Sequence, residues 1–414
     1  MKWQTILEIF LFLICLFLPS YQIRFKILNL PTTLLEIMII FFFFLWLIKK
    51  IKGKEKIDFL KELKEFRILI LAWLFFSLLA VFFSPDKLKG LGHWRAYFFE
   101  PILVLFIFSD LAKENKKINN LVLNALFLCA FFASSWAIFQ KFFGGGMLSL
   151  EVWRYPLKPI WRATGPFPQA NFLGLLLGPI IILVFGKIFS FKNIKNNLLL
   201  FFYYLIVLFF SIIAVFLALS EGAILGIIVG LIFLILLSLK RKQRIFFLSI
   251  FLLFIFSFIL FNSSFSNYLF QKIFFKDLSG QIRLNIWRAT INLIKERPIF
   301  GAGLRGYQKM ISKYQKPFTL PTGEIISEEI HPYPHNLFLA IWSELGIFGL
   351  IVFLLIILKF FKLGFKKAKS NGNIVYSLMA SMLVILIHGL VDTPYFKNDL
   401  SILFWLIVGL MINS

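Results

Sequence analysis

The chain has 414 residues, of which 60% are hydrophobic and 56 are phenylalanine, and it carries a formal net charge of +24. Since roughly half of a soluble domain is apolar, this composition excludes an ordinary soluble globular protein. The basic residues lie in short segments between apolar runs, a pattern that sets membrane topology and argues against a nucleic-acid partner.

Apolar runs long enough to cross a bilayer recur along the whole sequence, and they lack the alternation of a transmembrane β-barrel. We therefore predict an all-α, polytopic transmembrane helical bundle of about 12 spans. Residues 1–160 would form N-terminal transmembrane helices. Residues 161–414 would form a second transmembrane region with one long extracytoplasmic loop, 263–336, that contains short helices. Ser220-Glu221-Gly222 is either a tight turn between two spans or a break in one long stretch. The spans are expected near residues 5–22, 30–48, 68–84, 94–111, 120–140, 169–189, 198–218, 221–239, 245–262, 337–358, 373–391 and 400–412.

The distribution of lysine and arginine predicts the orientation. By count, roughly 24 of the 44 basic residues lie in inner loops if the N-terminus is cytoplasmic. Both termini are then cytoplasmic, and the outer loops are 85–95, 141–168 and 263–336. The interleaved acidic residues of Lys49–Arg67 favour an amphipathic helix on the inner surface. Because Cys15 and Cys129 lie within apolar runs, we predict neither a disulfide nor a metal site.

Two of the four histidines lie where the long loop meets an apolar run, in His331-Pro-Tyr-Pro-His335-Asn336. A neutral imidazole is the commonest general base near neutral pH. The motif therefore indicates either chemistry at the membrane surface or a simple cap on the following helix.

The long loop carries a helical pattern of its own. Ile282, Ile286, Ile291 and Ile294, with Trp287, share one helical face, and Pro298 ends the helix. The following Gly301-Ala-Gly303-Leu-Arg-Gly306 matches GxGxxG, but the absence of a βαβ pattern around it argues against a dinucleotide site. We expect a tight turn that brings backbone amides near the membrane surface.

Arginine is the residue type that matches phosphate oxygens with a fixed fork of donors. Arg283 is the first candidate for such a contact, and Arg288, Arg297 and Arg305 are close alternatives. Each could instead extend to lipid headgroups. Arg162 lies just outside a span. Four further ionisable groups lie in or beside spans, where a functional role and helix–helix pairing are both open: Glu100, Glu221, His388 and Asp392.

Three blocks together resemble the O-antigen ligase and polymerase superfamily of bacterial membrane enzymes. They are Arg162-Ala-Thr-Gly165-Pro-Phe167-Pro-Gln-Ala-Asn171, the stretch from Arg283-Leu-Asn-Ile-Trp287 to Gly306-Tyr307, and His335-Asn336 leading to Glu344-Leu-Gly346. The ending His388-Gly-Leu-Val-Asp392-Thr-Pro is also similar to many members. The chain departs from the common Ser-Arg-Gly sequence at Ser220-Glu221-Gly222.

The resemblance implies a metal-independent, inverting glycosyltransferase without a cofactor, acting on the extracytoplasmic face of the bacterial inner membrane. Its donor would be a glycan on undecaprenyl pyrophosphate, and its acceptor a glycan, lipid or protein hydroxyl among membrane lipids. His335 would be the catalytic base, with His331 in reserve. The donor pyrophosphate would contact Arg162, Arg283, Arg288 and Arg305. Supporting residues would be Asn171, Trp287, Gly301, Gly303, Tyr307, Asn336 and Glu344.

Two other classes remain open on the sequence. A polytopic transporter or flippase of lipid-linked sugars would show paired internal repeats and charges at mid-membrane. A non-catalytic membrane scaffold is the second alternative.

Overall fold

A computed structural model of the protein describes residues 2–27, 30–55, 57, 63, 65–144, 151–153, 160–191, 197–320, 323, 325–327 and 329–414. Helices dominate this part of the chain, and a π-helical turn at Arg95–Phe99 joins two of them. The helices are α1 (Lys2–Leu16), α2 (Leu34–Lys52), α3 (Arg67–Phe82), α4 (Lys87–Trp94), α5 (Glu100–Glu114), α6 (Ile118–Phe143), α7 (Ala170–Phe189), α8 (Leu198–Leu217), α9 (Glu221–Ser238), α10 (Arg241–Phe261), α11 (Ser263–Ile273), α12 (Leu278–Glu296), α13 (Tyr307–Met310), α14 (Leu337–His388) and α15 (Asn398–Asn413).

In the described part of the chain, short strands form three two-stranded antiparallel ladders beside the helices. The pairs are β1 (Arg24–Ile27) with β2 (Leu30–Thr33), β3 (Glu151–Trp153) with β4 (Ile160–Arg162), and β5 (Phe318–Thr319) with β6 (Ile325–Ile326).

Within the described residues, five helical segments are long and apolar enough to cross a membrane, namely α6, α7, α8, α9 and residues Leu337–Lys369 of α14. Four shorter apolar helices accompany them, at Trp3–Leu16, Arg67–Phe82, Gly372–His388 and Asn398–Asn413. The chain is thus an all-α, multi-pass membrane protein by length and composition, as predicted. The further spans expected near 5–22, 30–48, 68–84, 94–111, 245–262, 373–391 and 400–412 stay predictions, and so does the long extracytoplasmic loop 263–336. The inner-surface helix expected at Lys49–Arg67 falls in part outside the described residues.

The longest helix doubles back on itself. Helical geometry continues over the 52 residues of α14, and a straight helix of that length would be roughly 78 Å long. Yet the N–H of Leu337 donates to the carbonyl oxygen of Gly389 over 2.7 Å, and a Cβ on Gly364 would meet Met379 Cγ at 2.7 Å. α14 is therefore a hairpin of two antiparallel arms, in agreement with the two predicted spans.

The basic segment Lys359–Lys369, which was predicted to be an inner loop, is helical and extends the first arm. Lysine has good helix propensity and a long stem that carries its charge away from an apolar helix end. These two properties let the helix continue through a segment that charge alone marks as a loop.

Glycines on one face of α9 let it approach the second arm of α14 closely. A Cβ on Gly222 would meet His388 Cδ2 at 2.6 Å, and a Cβ on Gly230 would meet Val384 Cγ2 at 2.6 Å. Small residues spaced by four are typical of such membrane helix contacts. The contact brings the first turn of α9 beside His388 at one end of the bundle.

The helix predicted before Pro298 is present as α12, but its buried face differs from the prediction. Ile286 and Ile294 are buried, whereas Ile291 is 42% exposed. Ile291 follows Ile286 by five residues, which is a rotation of about 140° around a helix. The buried face instead includes Ala289, Thr290 and Leu293, which lie three, four and seven residues after Ile286.

Candidate functional site

A cavity of about 460 Å³ lies where the first turns of α7, α9 and α12 approach the two ends of α14. Four residues that the sequence singles out for catalysis or donor binding line it together: Arg162, Arg283, His331 and His335. The remaining lining residues are Asn171, Leu219, Ser220, Glu221, Gly222, Ile224, Tyr268, Lys272, Ser279, Ile282, His388, Val391 and Asp392.

Arg162 is held against the cavity wall by oxygens that carry no full charge. It ends β4, its Nε donates to the carbonyl oxygen of Ala218 over 2.9 Å, and its Nη2 donates to Asn171 Oδ1 over 2.6 Å. Asn171 lies in the first turn of α7. These bonds fix the plane of the guanidinium beside the cavity.

Arg283 is fixed in the same manner from the opposite wall. Its Nη1 donates to Ser279 Oγ over 2.7 Å, one turn earlier on α12, and its Nε donates to the carbonyl oxygen of Val391 over 3.3 Å. Two arginines on different elements therefore line one cavity, and hydrogen bonds orient each of them. A planar guanidinium in this state suits an anionic group with several oxygens.

His335 is held by a strained and well-anchored loop. Its φ of 49° lies in the left-handed region, which costs roughly 1–2 kcal/mol for a residue with a Cβ. Trp287 Nε1 donates to the carbonyl oxygen of Pro334 over 3.0 Å. Asn336 caps α14 by accepting from the N–H groups of Phe338 and Leu339. The His331–Asn336 segment therefore both caps the following helix, through Asn336, and places the His335 imidazole at the cavity.

Asp392 is the residue that faces the His335 imidazole. Its Oδ1 lies 3.7 Å from His335 Nδ1, and the rings of His331 and His335 have centroids 4.7 Å apart. Asp392 is buried in the turn after α14. Burial opposes its ionisation, but His335 and then Lys397 hold the pKa of that carboxyl well below its usual range. A charged Asp392 would orient the imidazole through Nδ1.

Glu221, where the chain departs from the common Ser-Arg-Gly sequence, forms an ion pair at the cavity rim. Its carboxylate lies 2.8 Å from Lys272 Nζ and accepts a hydrogen bond from the Tyr268 hydroxyl over 3.0 Å. Lys272 also pairs with Asp277 at 2.8 Å. The acid thus faces a lysine from α11. Lys272 and Tyr268 were not predicted, and no motif marks them.

Two buried polar atoms of the cavity wall have no hydrogen-bond partner among the described residues. They are Ser220 Oγ and His388 Nδ1, in side chains that are 1% and 2% exposed. Buried polar groups are nearly always hydrogen-bonded in folded proteins. Neither atom finds the hydrogen-bond partner that its burial calls for among the described residues.

Arg288 and Arg305, the other two predicted donor contacts, do not line this cavity. Arg288 is exposed on α12. Arg305 has a left-handed φ of 68°. It lies near His93, where burial and then the Arg305 charge lower the pKa of the imidazole to about 4.

The glycine turn exposes its amides less than predicted. The N–H groups of Arg305 and Tyr307 both donate to the Glu344 carboxylate, and that of Leu304 donates to the Ala80 carbonyl oxygen over 3.0 Å. A Cβ on Gly303 would meet Phe83 C at 2.4 Å. The turn is packed into the bundle, with Gly301 and Tyr307 beside it, and its amides stabilise the fold rather than face a headgroup.

The architecture is thus that of a multi-pass helical membrane protein with a cationic, histidine-containing cavity at one end of the bundle. Comparison with known proteins adds a family resemblance. Residues 206–354 match the family model described as O-antigen ligase. This region contains Arg283, His331, His335 and Glu344, and the match supports the predicted resemblance to the O-antigen ligase superfamily.

Several known proteins are similar to this chain, either over a short segment or at low identity. A "putative polysaccharide ligase" of Rickettsia conorii is 41% identical over 87 residues, and one of Rickettsia typhi is 38% identical over 87 residues. Each of these matches covers 20% of this chain and 20% of the relative. An uncharacterized protein of Haemophilus influenzae is 25% identical over 338 residues, or 74% of this chain and 73% of that protein.

Proposed function

We propose that the protein transfers a glycan from an undecaprenyl-pyrophosphate-linked donor to an acceptor hydroxyl, as a ligase or a polymerase of the O-antigen ligase type. The observation that carries the proposal is that Arg162, Arg283 and His335 line one cavity. The family match and the ligase relatives support the same class of reaction.

Arg162 and Arg283 would bind the donor pyrophosphate. Cleavage of the bond between the sugar and the pyrophosphate builds negative charge on the leaving oxygens. Two guanidinium groups that are already oriented stabilise that charge without moving, and this is where electrostatic catalysis is most effective. Their charge performs the role that a metal ion has in many phosphate-transfer enzymes, which is why the reaction is proposed to be metal-independent.

His335 would be the general base. Because Asp392 faces Nδ1, the imidazole presents Nε2 to an acceptor hydroxyl. The base removes the hydroxyl proton as the oxygen attacks the anomeric carbon of the donor sugar, and the bond to the pyrophosphate breaks. Attack opposite to the leaving group inverts the anomeric configuration. His331, beside His335, is the reserve candidate for this role.

The proposed location is the bacterial inner membrane, with both termini in the cytoplasm and the cavity at the extracytoplasmic face. The excess of basic residues in the predicted inner loops supports this orientation. A donor already flipped across the membrane would then reach the cavity from the outer leaflet.

The test is glycan transfer by the purified protein in detergent, with a lipid-pyrophosphate-linked oligosaccharide and EDTA. His335→Ala should abolish transfer, whereas Arg288→Ala, at an exposed position outside the cavity, should retain it. A ladder of longer lipid-linked glycans would identify a polymerase, and one transfer to a new acceptor would identify a ligase. Unchanged transfer by both His335→Ala and His331→Ala would contradict the proposal. Donor movement across vesicles without any transfer would favour a transporter.

A further inference from the structure

A second cavity lies at the opposite end of the bundle from the candidate site. Its volume is about 420 Å³, and it opens between the end of α7 and the first turns of α6 and α8. Asn171, at the start of α7, lines the candidate site, whereas Lys187, near the end of α7, lines this second cavity. A helix of that length separates the two by roughly 25 Å. The lining residues are Asn120, Asn124, Lys187, Ser190, Phe191, Asn197, Leu200 and Tyr204.

Lys187 supplies a positive charge that no carboxylate among the described residues neutralises. The side chain is half-buried, and its Nζ donates to Asn120 Oδ1, a neutral acceptor, over 2.7 Å. In the part of the chain that the structure describes, no carboxylate pairs with it. Since a partly desolvated charge is costly unless it is paired, this lysine favours an anion in the cavity.

The remaining groups of the cavity fit the same ligand charge. The amides of Asn120, Asn124 and Asn197 can each donate hydrogen bonds to oxygens. α6 and α8 both begin here, and neither has a side-chain cap at its N-terminus. The positive ends of two helices therefore add to the lysine charge.

One wall of the cavity is apolar. Phe191, Leu200 and Tyr204 form it, and Leu200 is exposed on the outside of the bundle. A phosphate that carries acyl chains would place its oxygens among the amides and its chains along this wall. An apolar wall offers nothing to a free phosphate ion.

We propose that this cavity is a binding site for a phosphate group, which an anionic phospholipid of the adjacent leaflet supplies. Lys187 is its central cation, and the asparagine amides bond the remaining phosphate oxygens. The site is separate from the proposed glycan-transfer site and does not depend on that function.

The experiment is thermal unfolding of the purified full-length protein in detergent, titrated with phosphatidylglycerol, with phosphatidylcholine or with inorganic phosphate. Phosphatidylglycerol should raise the unfolding temperature of the wild type at lower concentration than phosphatidylcholine does. Lys187→Gln should weaken the apparent affinity about tenfold or more, because a hydrogen bond to a charged group is lost. Lys187→Arg should retain most of the effect. Lys113→Gln, at an exposed lysine in the preceding helix, should match the wild type.

The outcomes separate the sources of the phosphate. Inorganic phosphate alone could raise the unfolding temperature of the wild type and leave that of Lys187→Gln unchanged. The ligand would then be free phosphate from solution and not a phospholipid. An equal phosphatidylglycerol effect on the wild type and on Lys187→Gln would overturn the proposal, as would the absence of any anion effect. Asn124→Leu is a second test, because it removes one amide of the cavity and retains Lys187. This variant should also bind phosphatidylglycerol more weakly. Glycan transfer by Lys187→Gln in detergent should equal that of the wild type.

Discussion

The N–H of Leu337 donates a hydrogen bond to the carbonyl oxygen of Gly389 over 2.7 Å, and this bond joins the first and last turns of one helical hairpin. The residues just outside these two positions are His335 and Asp392. The hairpin therefore brings the His335 imidazole close to the Asp392 carboxylate, although the two antiparallel arms of α14 separate these residues in sequence. The Nδ2 of Asn336 donates to the carbonyl oxygen of Leu390 over 2.9 Å and closes the same junction.

Arg283→Lys should impair glycan transfer while leaving the fold intact. Lysine keeps the charge, but it cannot bond Ser279 and Val391 with one planar group and still present two parallel donors to a phosphate. We expect kcat/KM to fall by about tenfold or more. The measurement is the initial rate of transfer over a range of donor concentrations. Arg288→Lys, on the same helix and outside the cavity, is the matched control, and equal losses in both variants would remove the specific role of Arg283.

Asp392→Asn should lower kcat with a smaller effect on KM for the donor. The amide no longer stabilises the imidazolium that forms when His335 takes the acceptor proton, and it can hold the wrong tautomer. By analogy with other oriented histidines, a loss of about 10²-fold or more is expected. A purely structural role would instead lower the amount of folded protein and leave the kcat of the folded fraction unchanged.

The difference in stability between the wild type and Asp392→Asn should depend on pH in a defined direction. The folded pKa of Asp392 lies below its ordinary value, because His335 and Lys397 outweigh burial. Its contribution to stability is therefore present above the unfolded pKa of about 3.9 and is lost as pH falls through the folded pKa. We expect the wild type to unfold at a higher temperature than Asp392→Asn at neutral pH. The gap should narrow progressively as pH falls from about 3.9 toward the folded pKa, and a constant gap at every pH would contradict the assignment.

The sequence predicts most of the apolar helices because length and hydropathy are local properties. Arg162, Arg283 and His335 could also be predicted, since each lies in a short block where an ionisable or amide group interrupts an apolar pattern. The positions of Arg288 and Arg305 relative to the cavity could not. Arg283 and Arg288 share one helix, and only the packing of α12 against α14 decides which of them faces inward.

The pairing of distant residues is the part that the sequence leaves undetermined. Nothing local to Glu221 indicates Lys272 or Tyr268 as its partners, since they lie on another helix beyond α10. The partners of the glycine turn at residues 301–306 could not be predicted from the sequence either. Its tight geometry could be predicted from glycine alone, but the acceptor of its amides, Glu344, lies in a later segment.

Glu344→Gln should destabilise the protein more than it affects the chemistry. Glu344 is fully buried and accepts from two backbone N–H groups, whereas a glutamine oxygen can replace only part of that pattern and would turn an NH₂ toward a donor. The expected cost is about 1–3 kcal/mol of unfolding free energy. A thiol-reactive dye can measure it, because Cys15 and Cys129 are both buried and react only on unfolding. Glu296→Gln, at an exposed carboxylate, should leave the dye transition almost unchanged.

The ion pair of Glu221 with Lys272 should contribute little to stability despite its place at the cavity. The side chains are 51% and 28% exposed, so solvent screens the pair, and exposed pairs are typically worth about 0.2–1 kcal/mol. A double-mutant cycle of Glu221→Gln and Lys272→Gln, followed by thermal unfolding, should give a coupling energy in that range. Transfer should change only slightly in Glu221→Gln. If Lys272→Gln alone abolished transfer while remaining folded, Lys272 would be a third cation for the donor pyrophosphate, and Glu221 would be its counter-ion before the donor binds.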